Sequence, residues 1–192
     1  MRGSFFLGLL FCMCLTGAPA SAEEACPKPK DSIPRGMIVS TGVGPSFWLG
    51  DVGSDSQVGM NYHFNLGYEL LPYLGFEASW TTGSHNTDQP HPPAEGSYST
   101  YALQGLLRVN LPLGRFDLFA HGGAGLMWAQ PDILVRVEDF NSDLHLAWSA
   151  DLGFAWHSSR RRIWLGAQAG VLGGVDFPGY LLSASVVIGL SL

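Results

Sequence analysis

The chain has 192 residues, of which 10 are basic and 16 acidic, for a formal net charge of −6. That balance argues against a nucleic-acid partner, whose affinity rests on Lys and Arg neutralising phosphates. Only 14% of the residues are charged while 25 are glycine, and a soluble domain carries about a quarter charged residues.

The first element is a targeting signal. Arg2 supplies a short positive segment, Phe5 to Leu15 form an apolar run, and Ala20 and Ala22 are the small residues of a cleavage site. This is the pattern of a secretory signal peptide over residues 1–22, cut after Ala22. Its apolar run is too short to span a membrane as a helix, which needs roughly 20 residues, and no other long apolar run follows. Cys12 and Cys14 leave with the signal, so Cys26 is left as a single thiol and no intramolecular disulfide is expected. Glu23-Glu24-Ala25 lacks the apolar residue of a lipidation motif, so Cys26 reads as a free thiol. Residues 23–36 are polar with three prolines, the texture of a flexible tail.

From residue 37 the pattern becomes period-2 alternation, the signal of β-strands. Eight segments emerge: 37–49, 57–70, 73–83, 98–111, 115–129, 143–157, 161–173 and 179–192. In the clearest, Leu144, Leu146, Trp148, Leu152, Phe154 and Trp156 share one face, and His145, Ser149 and Asp151 the other. The second and fourth repeat it, with Tyr62, Phe64 and Leu66 opposing Asn61, His63 and Asn65, and Leu103, Leu107 and Val109 opposing Gln104, Arg108 and Asn110. The first and seventh are blurred by Gly42, Gly44, Gly166 and Gly170. Such lengths exceed the usual five or six residues and match the roughly 9–11 that cross a bilayer.

The connections alternate. Leu71-Pro72, Pro112-Leu113-Gly114 and Ser158-Ser159-Arg160 are tight turns. Ser84 to Ser97 and Gln130 to Ser142 are long polar loops. Short periplasmic turns and long outer loops are the arrangement of a transmembrane barrel, with both termini on the periplasmic side.

The bulky apolar face is nearly uninterrupted, whereas the other face is polar or small. An eight-stranded barrel has an interior just wide enough for side chains, so the bulky face points outward, which hydrocarbon tolerates. The alternative is a soluble, lipocalin-like barrel around an apolar cavity. Trp48, Trp80, Trp128 and Tyr180 near outer ends, and Tyr68, Tyr73, Phe116 and Trp156 near periplasmic ends, read as the two aromatic girdles. The parity of Trp164 places it with Gly166 and Gln168 on the inner face. The expected fold is therefore all-β, an eight-stranded antiparallel up-and-down transmembrane β-barrel over residues 37–192.

The signal peptide, the eight alternating segments, the turn Pro112-Leu113-Gly114-Arg115 and the closing run Ala184 to Leu192 together resemble the small outer-membrane barrels of the OmpA-transmembrane and OmpX type. The resemblance covers the whole mature chain and is architectural. It implies an outer-membrane location, contact with outer-membrane lipids and recognition by the barrel-insertion machinery. Such barrels typically end on an aromatic residue; this chain ends on Leu192.

The candidate site is a polar network inside the barrel. Glu69, Glu77, Gln104, Arg108 and Asp151 all have inward parity, as does Asp117, and charges in a narrow lumen must be paired or wet. Arg108 is expected to pair with Glu77 or Asp151, giving a plug. A narrow pore or small-molecule-binding barrel is the alternative, and a wide channel is excluded because it needs roughly 16 strands.

No cofactor or metal is expected. His85 and His91 share a loop with Asp88 and Glu95, but without tight ligand spacing. His157-Ser158 resembles the His and Ser pair of outer-membrane lipid A deacylases, yet it falls at a periplasmic turn, away from the outer leaflet, so no enzymatic activity is expected. Arg160-Arg161-Arg162 reads as a solvated turn near anionic head groups. The outer loops, with Asp132, Arg136, Glu138, Asp139 and Asp143, are where a surface or envelope protein partner would bind. The role expected is structural, adhesive or in assembly.

Overall fold

A computed structural model describes residues 36–87, 96–130, 143–158 and 162–192. Its strands are β1 (Met37–Gly50), β2 (Gly59–Leu71), β3 (Leu74–Thr87), β4 (Gly96–Leu113), β5 (Phe116–Gln130), β6 (His145–His157), β7 (Ile163–Gly174) and β8 (Gly179–Ser191). Each pairs antiparallel with its neighbour in sequence, and β1 closes on β8, with Ile38 opposite Ser191 and Gly50 opposite Gly179. Closure removes both sheet edges, so the strand backbones are paired around the whole wall, as lipid requires. The signal segment with Ala22, Cys26, and the loop residues His91, Glu95, Asp132 and Arg136 lie outside the described residues.

The alternation read from the sequence is the alternation of burial. Phe64, Leu66, Phe76, Leu107, Leu118, Leu152, Phe154 and Ile188 are exposed, while Asn61, His63, Asn65, Glu69, Glu77, Gln104, Arg108 and Asn110 are buried. A soluble barrel inverts this pattern. The soluble, lipocalin-like alternative therefore fails.

Aromatic side chains gather at the two rims of the apolar band. Near the outer rim Trp80, Tyr101 and Trp128 form one cluster, with ring centroids 5.7 Å apart for Trp80–Trp128 and 5.5 Å for Tyr101–Trp128. Trp148 and Tyr180 lie 6.0 Å apart beside it. Tyr68, Tyr73, Phe116 and Trp156 are exposed at the periplasmic rim. Trp48 departs from expectation. It is 4% exposed and faces the lumen, because it shares the parity of Ile38, Ser40 and Ser46 on β1.

Two further differences concern the outer end. β3 runs on to Thr87 and β4 starts at Gly96, so part of the expected loop from Ser84 to Ser97 is paired strand, with His85 opposite Tyr98. Beyond the hydrocarbon the outward face no longer has to be apolar; Ser84 and Asn86 occupy it, and alternation between apolar and polar residues disappears from the sequence. The link between β1 and β2 contains a short helix, α1 (Asp51–Ser54), whose Val52 is fully buried. Its exit is pinned by an isolated bridge between Ser56 and Thr87.

The inner turns are tight. Gly114 takes a φ of 74° between β4 and β5, a left-handed conformation that glycine adopts without steric cost. Gly36, the last residue of the expected tail, already accepts a hydrogen bond from the Glu69 amide at 2.9 Å.

Candidate functional site

The lumen is filled in layers, and the periplasmic half carries the charge. Arg108 on β4 and Glu77 on β3 are diagonal neighbours, since Arg108 is opposite Gly75 and Glu77 opposite Leu106. The Arg108 Nη1 donates to Glu77 Oε1 at 2.8 Å. Its Nε donates to Asn110 Oδ1 at 2.7 Å, and Asn110 Nδ2 donates in turn to Glu69 Oε1 at 3.0 Å. Gly75 lies in register between Glu69 and Arg108. Lacking a side chain, it leaves space for Asn110 to reach across β3 to β2.

The guanidinium also lies over two rings, 4.7 Å from the centroid of Phe119 and 5.4 Å from that of Trp164. Cation–π contacts of this kind strengthen when desolvated, and both rings are buried. Phe119 and Trp164 belong to an apolar cluster with Ile38, Ala155 and Val187. Deeper towards the periplasm, His157 Nε2 is 2.8 Å from Asp117 Oδ2.

Of the expected network, Glu69, Glu77 and Arg108 come together, with Asn110 as the link. Gln104 and Asp151 do not join it. Both face a separate internal cavity of about 30 Å³ in mid-lumen, along with Asn61, Asn65, His63, His121, Ser149 and Gln168. Arg108 thus takes Glu77 and not Asp151. His121 stands between the two zones, its Nε2 3.7 Å from Glu77 Oε1.

The outer half of the lumen carries a large apolar cluster, which the polar inner face read from the sequence did not suggest. Trp48, Val52, Tyr98, Met127, Leu172, Phe177 and Leu181 form one buried cluster. Trp48 and Phe177 have centroids 5.3 Å apart. His85, expected in a loop with other candidate ligands, points inward instead, stacks on Tyr98 at 5.6 Å and lies 3.1 Å from Ser46 Oγ. The Tyr98 hydroxyl reaches Ser56 Oγ at 2.6 Å. Trp48, Tyr98, Met127, Leu172 and Leu181 share the inward parity of their strands; Val52 and Phe177 sit in connections, where alternation says nothing.

His157 and Ser158 do not form a working pair. The His157 ring faces Asp117 inside the barrel, while Ser158 Oγ accepts a weak bond of 3.4 Å from the Ile163 amide. Among the described residues no group of three or more His, Cys, Asp or Glu side chains is arranged to hold a metal ion.

The sequence model of the outer membrane protein beta-barrel domain matches residues 7–177 of this chain. The chain belongs to this family. As an outer-membrane β-barrel it has its place in the outer membrane, consistent with its bulky exterior. Among curated proteins no sequence match is found. Three solved barrels share the fold. Neisserial surface protein A aligns with a TM-score of 0.61 at 12% identity, covering 81% of this chain and 97% of that one. Ail, the attachment invasion locus protein of Yersinia pestis, solved with the heparin analogue sucrose octasulfate, gives 0.53 at 14% identity, over 82% of this chain and 99% of that one. OprG of Pseudomonas aeruginosa gives 0.52 at 11%, over 83% and 98%. At these identities the family barrel is shared while its lumen and loops are this chain's own.

Proposed function

We propose that the protein is a non-enzymatic, non-conducting outer-membrane scaffold, exported by a signal peptide cut after Ala22, with a structural, adhesive or assembly role exercised through its outer loops. The observation that carries this reading is the filling of the lumen at both ends. The Arg108–Glu77–Asn110–Glu69 network and its aromatic shelf occupy the periplasmic half, and the Trp48–Phe177 cluster occupies the outer half. The inward-facing, Asp117-bound His157 speaks against lipid hydrolysis.

Charge supports an orientation for such a scaffold. On the described outer connections the charged residues are Asp51, Asp55, Asp143 and Asp176, and on the periplasmic turns they are Arg115 and Arg162. Arginines at the inner rim suit anionic phospholipid head groups, and an acidic outer rim favours a basic surface on an envelope protein partner. Purified barrel in planar bilayers is expected to give a flat current trace at moderate voltage. Steady single-channel steps would overturn the scaffold reading in favour of a narrow pore.

A further inference from the structure

The mid-lumen cavity contains a carboxylate that no described side chain neutralises. Asp151 on β6 lies opposite His121 on β5 and Gly170 on β7. Its carboxylate rests against the Gly170 backbone, in the space where a Cβ of that residue would be. Among the described residues it has neither an ion pair nor a hydrogen bond, since Arg108 is engaged by Glu77. The side chain is half-buried, and a charge inside a narrow lumen must be paired or wet.

The side chains around the same cavity are themselves unsatisfied. Asn61 Oδ1, Asn65 Oδ1, Ser149 Oγ, Gln168 Oε1, His63 Nε2, Gln104 Nε2 and both ring nitrogens of His121 lack a hydrogen-bond partner, and all of these residues line it. Asn61, Asn65, Ser149 and His121 are more than nine-tenths buried. So many orphaned buried groups around one small space are unusual for a folded protein and require a partner that fills it. Four of these atoms are oxygens, the ligand type of hard cations.

We propose that this cavity is a binding site for one small monovalent cation, held by the Asp151 carboxylate and the amide and hydroxyl oxygens, together with a bound water. One carboxylate matches one positive charge. A cavity of about 30 Å³ accommodates roughly two water-sized occupants, which fits an alkali cation with a water and leaves no space for a quaternary ammonium ion. A divalent or transition metal is disfavoured because the described residues gather no set of three acidic, His or Cys ligands. The layers packed on either side confine the site to mid-lumen, and the bound ion helps to fix β5, β6 and β7 around it. The proposal rests on the filled lumen and not on the scaffold role.

The test is refolding of the full chain from urea into detergent micelles in sodium, potassium or choline chloride at equal ionic strength. The temperature at which the compact, boiling-sensitive gel band is lost is then read. Sodium or potassium is expected to raise that midpoint by about 5 °C over choline. Asp151→Asn keeps the size and should still give the compact band while erasing the difference between salts. Gln168→Leu, which removes one ligand oxygen, should reduce it. Equal midpoints in all three salts overturn the proposal, as does an undiminished sodium or potassium effect in Asp151→Asn. The conductance of the wild-type barrel is recorded separately, so the scaffold reading can fail while the salt dependence stands, and the reverse.

Discussion

The two ends of the lumen are closed by opposite chemistry. The outer end is sealed by Trp48, Val52, Met127, Leu172, Phe177 and Leu181, contributed by β1, α1, β5, β7, the β7–β8 connection and β8. The periplasmic end is sealed by Arg108, Glu77, Asn110 and Glu69, which come from only β2, β3 and β4, backed by the rings of Phe119 and Trp164. An apolar seal loses stability in proportion to the volume removed. An ionic seal fails abruptly, because each charge is tolerated only while its partner is present. The ends should therefore answer differently to the loss of a single side chain.

The largest effect is expected at Arg108. Arg108→Ala leaves the Glu77 carboxylate buried without its partner and removes the cation from two rings, at a cost of about 3–5 kcal/mol. Urea unfolding in lipid vesicles, followed by tryptophan fluorescence, measures it. The companion variant Glu77→Leu with Arg108→Met should recover most of the loss, since apolar replacement of a buried pair is often neutral. If the double replacement is as damaged as the single one, the periplasmic seal is held by shape and not by charge, and the contrast between the ends disappears.

Trp48→Ala probes the other end. It deletes a buried aromatic that packs against Phe177 and below Val52, at a cost of about 3 kcal/mol. The same vesicle unfolding experiment reads it, and here the companion Trp48→Phe should recover about half, as a graded seal requires. Current recordings sharpen the distinction. Trp48→Ala alone should stay silent, because the Arg108 network remains below it.

How far this division could be read in the sequence differs between the ends. Glu69, Glu77 and Arg108 were legible because a charged residue stands out at an inward position of an otherwise simple alternation. The choice between Glu77 and Asp151 was not, because it depends on register: β3 pairs directly with β4, whereas Asp151 lies on β6, opposite His121 and Gly170. Trp48 was misread as a girdle residue because tryptophan suits both a lipid interface and a lumen plug, and Gly42 and Gly44 had blurred the parity of β1. Val52 and Phe177 lie outside the strands, where period-2 reasoning has no purchase. His85 read as loop because both faces of a strand turn polar once it leaves the hydrocarbon. The barrel itself was legible, since its strands obey one rule imposed by lipid over many residues; the seal chemistry follows from pairings between strands that no single segment encodes.

The smallest of the three effects is expected at Asn110, which joins the ionic seal into one unit. It accepts from Arg108 Nε at 2.7 Å and donates to Glu69 Oε1 at 3.0 Å. Asn110→Ala removes two hydrogen bonds to charged groups but leaves the Arg108–Glu77 pair in place, so the cost should be about 1–2 kcal/mol. Asn110→Asp separates bonding from charge: it keeps an acceptor for Arg108 and sets a second carboxylate against Glu69. If the seal is the cooperative network that its geometry describes, Asn110→Asp is at least as damaging as Asn110→Ala at neutral pH, and acidification narrows the difference as the added carboxylate takes up a proton. Equal unfolding midpoints for both variants at every pH would mean that Glu69 is a bystander. The periplasmic seal would then reduce to the single pair between Arg108 and Glu77.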